Sequence, residues 1–257
     1  MDVNKIDSVH HPFIKHLVKL RTNRRYRYQS HTVFIEGSKV VSEFRGTILS
    51  LLLSCDRSPP APLPVMEGIP TYLVAPHVFK KLSGVSSPGG VGAEVVMPPF
   101  VDLKGTKRIM ALDGVSDPGN FGSLLRTASA FGFEGVFLGE GTVDPYNDKA
   151  LRSAQGATWR LPMQRGNVEE MDSSFTVYMA DLTGERLDAV CFASPSALLL
   201  GGEGEGISEA GRRTCLRSGG VSVTIPIDPE TESLNVAVAG GILMYAMASQ
   251  TEGHVRC

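Results

Sequence analysis

Three short stretches concentrate the residues of this chain that could do chemistry. They are Asp117-Pro-Gly-Asn-Phe-Gly-Ser-Leu-Leu-Arg-Thr-Ala128, Gly201-Gly-Glu-Gly-Glu-Gly206 and Ile225-Pro-Ile-Asp-Pro-Glu-Thr-Glu-Ser-Leu-Asn235. The middle one follows Leu198-Leu-Leu200 and precedes Ile207-Ser-Glu-Ala210, a strand, glycine turn and helix in succession. Backbone N–H groups and a helix N-terminus converge on ligands at such a place. Spacing removes two ligands. A dinucleotide loop needs glycines at i, i+2 and i+5; from Gly202 the third position is Ile207, from Gly204 it is Glu209, and from Gly201 the second is Glu203. A P-loop needs Lys-Ser/Thr after its last glycine, and Gly206 is followed by Ile207-Ser208. Glu203 and Glu205 would also repel a pyrophosphate. The loop suits a ligand that is cationic or neutral where it lies.

A different chemistry is written near the N-terminus. Lys15 and Lys19 lie on an amphipathic helix opened by Pro12, and Arg21, Arg24, Arg25 and Arg27 follow with Tyr26 and Tyr28 interleaved. Guanidinium planes pair with phosphates, and both they and tyrosine rings stack on bases. The segment reads as an RNA contact, with a solvated basic face as the alternative. Residues 1–45 hold nine Lys/Arg against Asp2, Asp7, Glu36 and Glu43, so they carry +5 and the remainder of this −2 chain carries −7. That asymmetry suggests a module that meets a polyanion joined to one that does not.

The elements that must position these residues follow from hydrophobic runs and their punctuation. Strands are expected over 32–37, 48–54, 71–74 and 91–97, helices over 11–20, 38–44 and 76–82, and a proline-rich loop over 58–64. Phe13, Leu17 and Leu20 share the apolar face of the first helix. Residues 1–98 are then a small alternating α/β domain, 99–106 a linker and 107–257 a second domain. In the second, strands are expected over 108–112, 135–138, 175–180, 198–200 and 221–225, with helices over 121–131, 147–154, 208–217 and 234–247. Repeated β-α alternation implies a parallel sheet covered on both faces, and its carboxyl edge would gather the three chemical stretches into one site. The last helix is apolar nearly all round and is expected to be buried, either in this chain or against a second copy.

Composition narrows the class. With 42% hydrophobic and 20% charged residues, the 257-residue chain can bury a core in one large or two ordinary domains. Cys55, Cys191, Cys215 and Cys257 show no C-x-x-C spacing and no nearby histidines, which argues against a metal site or disulfide scaffold and for a reducing compartment. The apolar run 236–248 is shorter than the ~20 residues a bilayer takes, and the N-terminus carries no signal-peptide core. The expected location is the cytoplasm, or an organellar matrix or stroma after removal of a presequence; no membrane partner is expected.

Taken in order, the three stretches resemble the signature motifs of the SpoU/TrmH branch of the SPOUT methyltransferases, over residues 117–239. The first ~100 residues resemble the ribosomal-protein-like RNA-binding domain that often precedes that catalytic domain. The resemblance implies a C-terminal trefoil knot, a homodimer formed through the C-terminal domain, and transfer of a methyl group from S-adenosylmethionine to a ribose 2′-hydroxyl of structured rRNA or tRNA, without metal. It casts Arg126 as the essential residue. An arginine, with a pKa above ~12, is a poor base, so gripping phosphate and stabilising a developing alkoxide suit it better. Asn120 falls at the active site and is also placed to cap its helix; Glu203 would hold Arg126 or balance the sulfonium. Ser233 and Asn235 match the third motif and would contact substrate and cofactor, or cap the last helix. Cofactor binding falls to Leu200, Gly201, Gly202, Glu203, Gly206, Ile225, Ile227 and Leu234, mostly through backbone.

Gly202, Glu205, Pro229 and Ala237 depart from the usual motif pattern, where asparagine, a small or basic residue, glycine and serine are common. None replaces an essential residue, while Glu205 and Pro229 bear on cofactor affinity and the third loop's shape. Two rival functions remain at this level: a catalytically inactive RNA-binding dimer of the same fold, and a nucleotide-dependent oxidoreductase with Asp228 as the ribose-binding acid. The failed glycine spacing opposes the second.

Overall fold

The computed structural model of the protein describes residues 4–56 and 68–251; the expected loop over 58–64 and Cys257 lie outside the described residues. The chain divides into two compact units, residues 1–99 with 146–152, and residues 100–145 with 153–257.

In the first unit, β1 (Asn4–Ile6), β2 (Thr32–Glu36), β3 (Ile48–Ser54), β4 (Thr71–Val74) and β5 (Val91–Val96) form one sheet in the order β1-β4-β3-β5-β2. β1, β4 and β3 run parallel, while β5 is antiparallel to both β3 and β2. The sheet is therefore mixed. Four strands lie on the hydrophobic runs that predict them; β1 is three residues long, carries no periodicity, and exists through its pairing to β4. Helix α1 (Pro12–Thr22) starts at His11, whose Nδ1 accepts the Phe13 amide, with Pro12 pre-set for the first turn. Ile14, Leu17 and Leu20 pack against Phe34, Leu52, Val78 and Phe79 in the core. Phe13, expected on that face, stays half-exposed at its rim, 4.7 Å from the Tyr72 ring, and Ile14 fills the interior place. Helices α2 (Arg24–Ser30), α3 (Ser38–Glu43) and α4 (Pro76–Ser83) complete this part of the chain.

The second unit is built on β6 (Arg108–Asp113), β7 (Gly135–Leu138), β8 (Met163–Arg165), β9 (Thr176–Arg186), β10 (Ser196–Gly201) and β11 (Ser222–Thr224). Their order is β11-β9-β10-β6-β7-β8 and every pairing is parallel. Ile109 and Ala111 with Ala197 and Leu199 face one core cluster, beside Phe137, Val177 and Cys215, while Met110, Leu112, Leu198 and Leu200 are buried on the other face. Burial on both sides is why these strands read as unbroken apolar runs. Its helices are α5 (Pro118–Ala130), α7 (Glu209–Arg217) and α8 (Val236–Thr251), whereas most of α6 (Asp148–Ala154) falls in the segment grouped with the first unit. From β6 the chain moves outward to β7 and β8, then returns to place β9 and β10 on the other side of β6. The β6/β10 boundary is thus the point where strand order reverses, the usual ligand crevice of such sheets.

Three expectations change. The stretch 99–106 is no free linker: Leu103 is buried in the second core and its amide donates to Gln164 Oε1 at 3.1 Å. β9 runs eleven residues, well past the expected Ala180, because it also pairs with β11 at Glu185 and Arg186. Helix α8 is not buried all round. Leu243, Met244 and Met247 face inward, whereas Val238, Ile242 and Tyr245 are 52%, 38% and 61% exposed. No helix among the described residues is long and apolar enough to cross a membrane.

Candidate functional site

The register of the parallel sheet sets the site. Asp113 ends β6 directly opposite Gly201 at the end of β10, so the loops that follow leave the sheet side by side. They touch: a Cβ on Gly202 would lie 2.6 Å from the Gly114 carbonyl oxygen. Only a residue without a side chain permits that approach. The loop then closes on itself through a hydrogen bond from the Gly206 amide to the Gly202 carbonyl, with Gly206 at φ +70°. Asp117 caps α5 by accepting the Asn120 amide at 2.8 Å, and Ser208 caps α7 by accepting from the Gly211 amide.

These loops carry one polar chain. The Asn120 Nδ2 donates to Glu203 Oε1 at 2.9 Å, and Asn235 Nδ2 donates to Asn120 Oδ1 at 3.0 Å. Ser116 adds its amide and hydroxyl to Glu203 Oε2 at 3.3 and 3.4 Å. Asn235 also caps α8, its Oδ1 accepting the Ala237 amide at 2.9 Å. One residue from each of the three sequence stretches is therefore joined to the next. Partial burial pushes the Glu203 carboxyl up, but hydrogen bonds from the Asn120 side chain and from the amides of Glu203, Ser116 and Asp117 outweigh it and hold the group below the usual glutamate value. Glu203 is accordingly ionised at neutral pH.

A cavity of about 510 Å³ opens beside this chain. Leu200, Gly201, Gly202, Glu203, Gly206, Ile225, Ile227 and Leu234 all line it, together with Ser233 and Asn235. Sequence reasoning missed Ala180, Asp181 and Leu182 on its wall. Their signal was available, since the β9 run ends at the same carboxyl edge. Asp181 accepts from Arg212 Nη1 at 2.7 Å; burial raises its carboxyl, and the Thr183 amide and Arg212 more than compensate. Among the described residues no group of three or more His, Cys, Asp or Glu side chains is arranged to hold a metal.

Arg126 stands apart. It is exposed on α5, and no hydrogen bond or ion pair engages it among the described residues. Of the two roles expected of Glu203, the pairing with Arg126 is not formed; its oxygens accept from Asn120 and Ser116.

The basic segment of the first unit is likewise divided by the structure. Lys15, Lys19, Arg24 and Arg25 are exposed. Arg27, expected on the same surface, is 3% exposed; its Nη1 donates to the Leu20 and Arg21 carbonyls at 2.7 and 3.0 Å. Asn23 causes this by ending α1 and capping α2, its side chain accepting from the Tyr26 amide, so that the phase of α2 turns Arg27 inward onto the open carbonyls of α1. Arg21 is half-buried, 3.5 Å from Asp148. Lys19 Nζ sits 4.9 Å from the Tyr26 ring centroid and Arg24 packs 5.7 Å from that of Tyr28.

Comparison with known proteins gives this geometry a family. Residues 107–245, more than half of the chain, match the SpoU rRNA Methylase family, and residues 11–93 match the MRM3-like substrate binding domain. The chain is 32% identical, over 95% of its length and 98% of the relative's, to the 23S rRNA (guanosine(2553)-2′-O)-methyltransferase RlmP of Bacillus subtilis. Among solved structures, the SpoU methyltransferase AviRb of Streptomyces viridochromogenes in complex with AdoMet is 25% identical, with a TM-score of 0.81 over 93% of this chain and 97% of that one. An AdoMet-bound rRNA methyltransferase from Sinorhizobium meliloti gives 25% identity and a TM-score of 0.81 over 99% of both chains. This chain belongs to the SpoU rRNA methylase family.

Proposed function

We propose that the protein methylates a ribose 2′-hydroxyl of ribosomal RNA, using S-adenosylmethionine. The observation that carries this is the Ser116–Glu203–Asn120–Asn235 chain at the mouth of a cavity whose walls are mostly backbone and apolar side chains. Its size and lining suit an adenosine, and the ionised Glu203 at its edge suits a cationic sulfur. When bound, S-adenosylmethionine supplies an electrophilic methyl group. The residues that would hold it are Leu200, Gly201, Gly202, Gly206, Ile225, Ile227 and Leu234, with Ser233 at the third loop. Ribosomal RNA is preferred to tRNA because the full-length Bacillus relative acts on 23S rRNA.

The chain's own groups divide the work by position and charge. Asn120, clamped between Glu203 and Asn235, keeps three loops in one arrangement before substrate arrives, so little reorganisation is left for the reaction. Glu203, held below the usual range, is a poor proton acceptor and acts through its charge. Among the described residues Arg126 has no partner to release before it takes a phosphate or a developing alkoxide. Lys15, Lys19, Arg24 and Arg25 are the surface that meets RNA, with Arg21 beside them. Arg27 is the prop beneath. A trefoil knot in the C-terminal part of the second unit belongs to this reading. So does a homodimer through the apolar face of α8, where Val238, Ile242 and Tyr245 are exposed. The free thiols of Cys55 and Cys215 favour a reducing cytoplasm.

The test uses purified protein, methyl-labelled S-adenosylmethionine, and unmodified rRNA and tRNA transcripts as separate substrates, followed by nucleoside analysis. A ribose-methylated nucleoside from rRNA is expected. Base methylation would refute the reaction, and a product from tRNA alone would refute the substrate. Failure of cofactor binding would favour the inactive RNA-binding dimer.

A further inference from the structure

Four rings of the first unit stay partly exposed and form one line: Tyr72 on β4, Phe13 and His16 on α1, and Tyr26 on α2. Centroid to centroid, Phe13 lies 4.7 Å from Tyr72 and 6.2 Å from His16, and His16 lies 5.6 Å from Tyr26. Phe13 and His16 are within 21° of parallel, so their faces look the same way. Residues three apart on a helix are neighbours on its surface, and the same spacing continues to Lys19, whose Nζ stands 4.9 Å from the Tyr26 ring centroid. Lys15 extends from the same helix, exposed.

The line is held from beneath. Phe13, Tyr26 and Tyr72 each rest one edge on the core of the first unit. His16 Nε2 meets Glu94 Oε1 at 2.9 Å, and His16 Nδ1 meets the Tyr26 hydroxyl at 2.8 Å. One imidazole therefore ties the Tyr26 ring to a carboxylate on β5. Glu94 is only 8% exposed, and His16 is its partner among the described residues. A carboxylate buried in a sheet costs stability unless it is paired, and an apolar side chain of similar volume would serve the core as well or better. Core packing thus leaves Glu94 unexplained, whereas fixing the orientation of two surface rings explains it.

We propose that this line of rings is a stacking surface for unpaired RNA bases, and that the first unit holds a single-stranded stretch of its substrate along α1. The inference goes beyond the methyl-transfer reading and rests only on RNA being the partner. Unstacked bases lay their faces on Phe, Tyr and His rings, and every base has such a face. In a duplex those faces are covered by neighbouring base pairs, so the rings have nothing to receive. Lys15 and Lys19, beside the line, supply charge complementary to the phosphates of the same strand. Rings already fixed by the core and by the His16–Glu94 tie lose little freedom on binding, which favours affinity. Phe13, Tyr26 and Tyr72 contact bases in this arrangement; His16 and Glu94 are positioning residues for Tyr26. A protein partner would also cover the rings, but it would draw on the two lysines only if it were acidic along the same line.

The experiment titrates the full chain with three fluorescently labelled RNAs: single-stranded oligouridylate, an abasic strand with the same number of phosphates, and the oligouridylate–oligoadenylate duplex. Charge alone would favour the duplex, which carries more phosphate per unit length; the stacking surface is expected to favour oligouridylate over both of the others. Phe13→Leu and Tyr72→Leu keep an apolar contact with the core and remove a ring. Each should weaken oligouridylate binding on the order of 5- to 100-fold, the worth of one stacked base, while the abasic strand binds as before and the salt slope of log K is unchanged. Tyr26→Phe keeps the ring and gives up the bond to His16; it should weaken oligouridylate on the order of 2- to 10-fold, the worth of one hydrogen bond. An unchanged Kd in Tyr26→Phe removes the positioning role of His16 and Glu94. Equal affinity of wild type for oligouridylate and the abasic strand, or tighter binding of the duplex, overturns the proposal and returns the rings to the core rim or to a protein partner. That comparison needs wild type alone, so it decides even where a variant fails to fold. Methyl transfer to rRNA transcripts is measured separately. Transfer without base-dependent binding leaves the catalytic reading standing and overturns this one, and base-dependent binding without transfer does the reverse.

Discussion

The loop edge of the second unit and the basic segment of the first were both legible as functional from residue types, yet the structure treats them differently. Asn120, Glu203 and Asn235, up to 115 positions apart in sequence, are hydrogen-bonded in series. Six basic residues within Lys15–Arg27, all close in sequence, are split between surface, rim and interior. A parallel sheet sends every strand end to the same edge, so residues just past those ends meet whatever the spacing between them. On a helix, by contrast, position depends on phase, and one cap resets it. Asn23 ends α1 and starts α2, and that break decides that Arg27 points inward.

The largest effect is expected on the loop edge. Arg126→Ala should lower methyl transfer on the order of 10²–10³-fold, the usual loss when one preorganised charge-stabilising group is removed. Cofactor Kd and thermal stability should stay as in wild type, because Arg126 is exposed and bonds to nothing among the described residues. Single-turnover rates at saturating RNA, beside calorimetric cofactor titration, check this. A loss of stability instead would turn Arg126 into a structural residue like Arg27 and erase the contrast between the two regions.

Arg27→Ala should do the reverse. Removing its guanidinium strips two carbonyls of a buried, charge-assisted donor, a change that costs about 2–3 kcal/mol. Denaturant unfolding monitored in the first unit measures it, and RNA affinity under fully folded conditions should be little altered. If Arg27→Ala weakens RNA binding without lowering stability, the side chain belongs to the surface after all.

The main strands and the burial of both faces of the second sheet were readable because apolar runs of four to seven residues bounded by glycine and proline admit few alternatives. β1 and β8 were not, since three-residue strands carry no period and are defined by their neighbours. The meeting of the three stretches at one sheet edge was readable. The site's internal bonding was not: nothing in the sequence says that Asn120, rather than Arg126, donates to the Glu203 carboxylate. The exposed stripe of α8 was hidden for a related reason. A helix apolar on every side has no preferred face, and packing alone left Val238, Ile242 and Tyr245 outside. Replacing Ile242 by glutamate should therefore yield monomers by light scattering without unfolding the chain. Retention of a dimer would place the interface elsewhere.

Glu203 gives the loop edge a pH signature. Its carboxyl sits below the usual value of 4.5 in the folded protein. A depressed pKa contributes stability that is present above the unfolded value and is lost as pH falls through the folded one. The difference in unfolding free energy between wild type and Glu203→Gln should be flat from neutral pH to about pH 4.5 and shrink below it. A difference that instead moves in wild type's favour as pH falls towards 6 would mean that burial raises the carboxyl and outweighs the Asn120 and Ser116 bonds.

The smallest individual effects are expected from the exposed cations. Lys15→Ala, Lys19→Ala, Arg24→Ala and Arg25→Ala should each change stability by less than about 0.5 kcal/mol, as surface substitutions do. Each that meets a phosphate should weaken RNA binding across sequences and lower the salt slope of log K by about 0.7–0.9. Lys19 and Arg24 have a further layer, since each lies over a tyrosine ring. Tyr26→Leu and Tyr28→Leu should then reduce affinity with the salt slope unchanged, because stacking releases no counterions. A salt slope that stays constant through all four charge removals would put the RNA-binding surface on another part of the first unit, and the charge run would be the solvated face that its composition alone also allows.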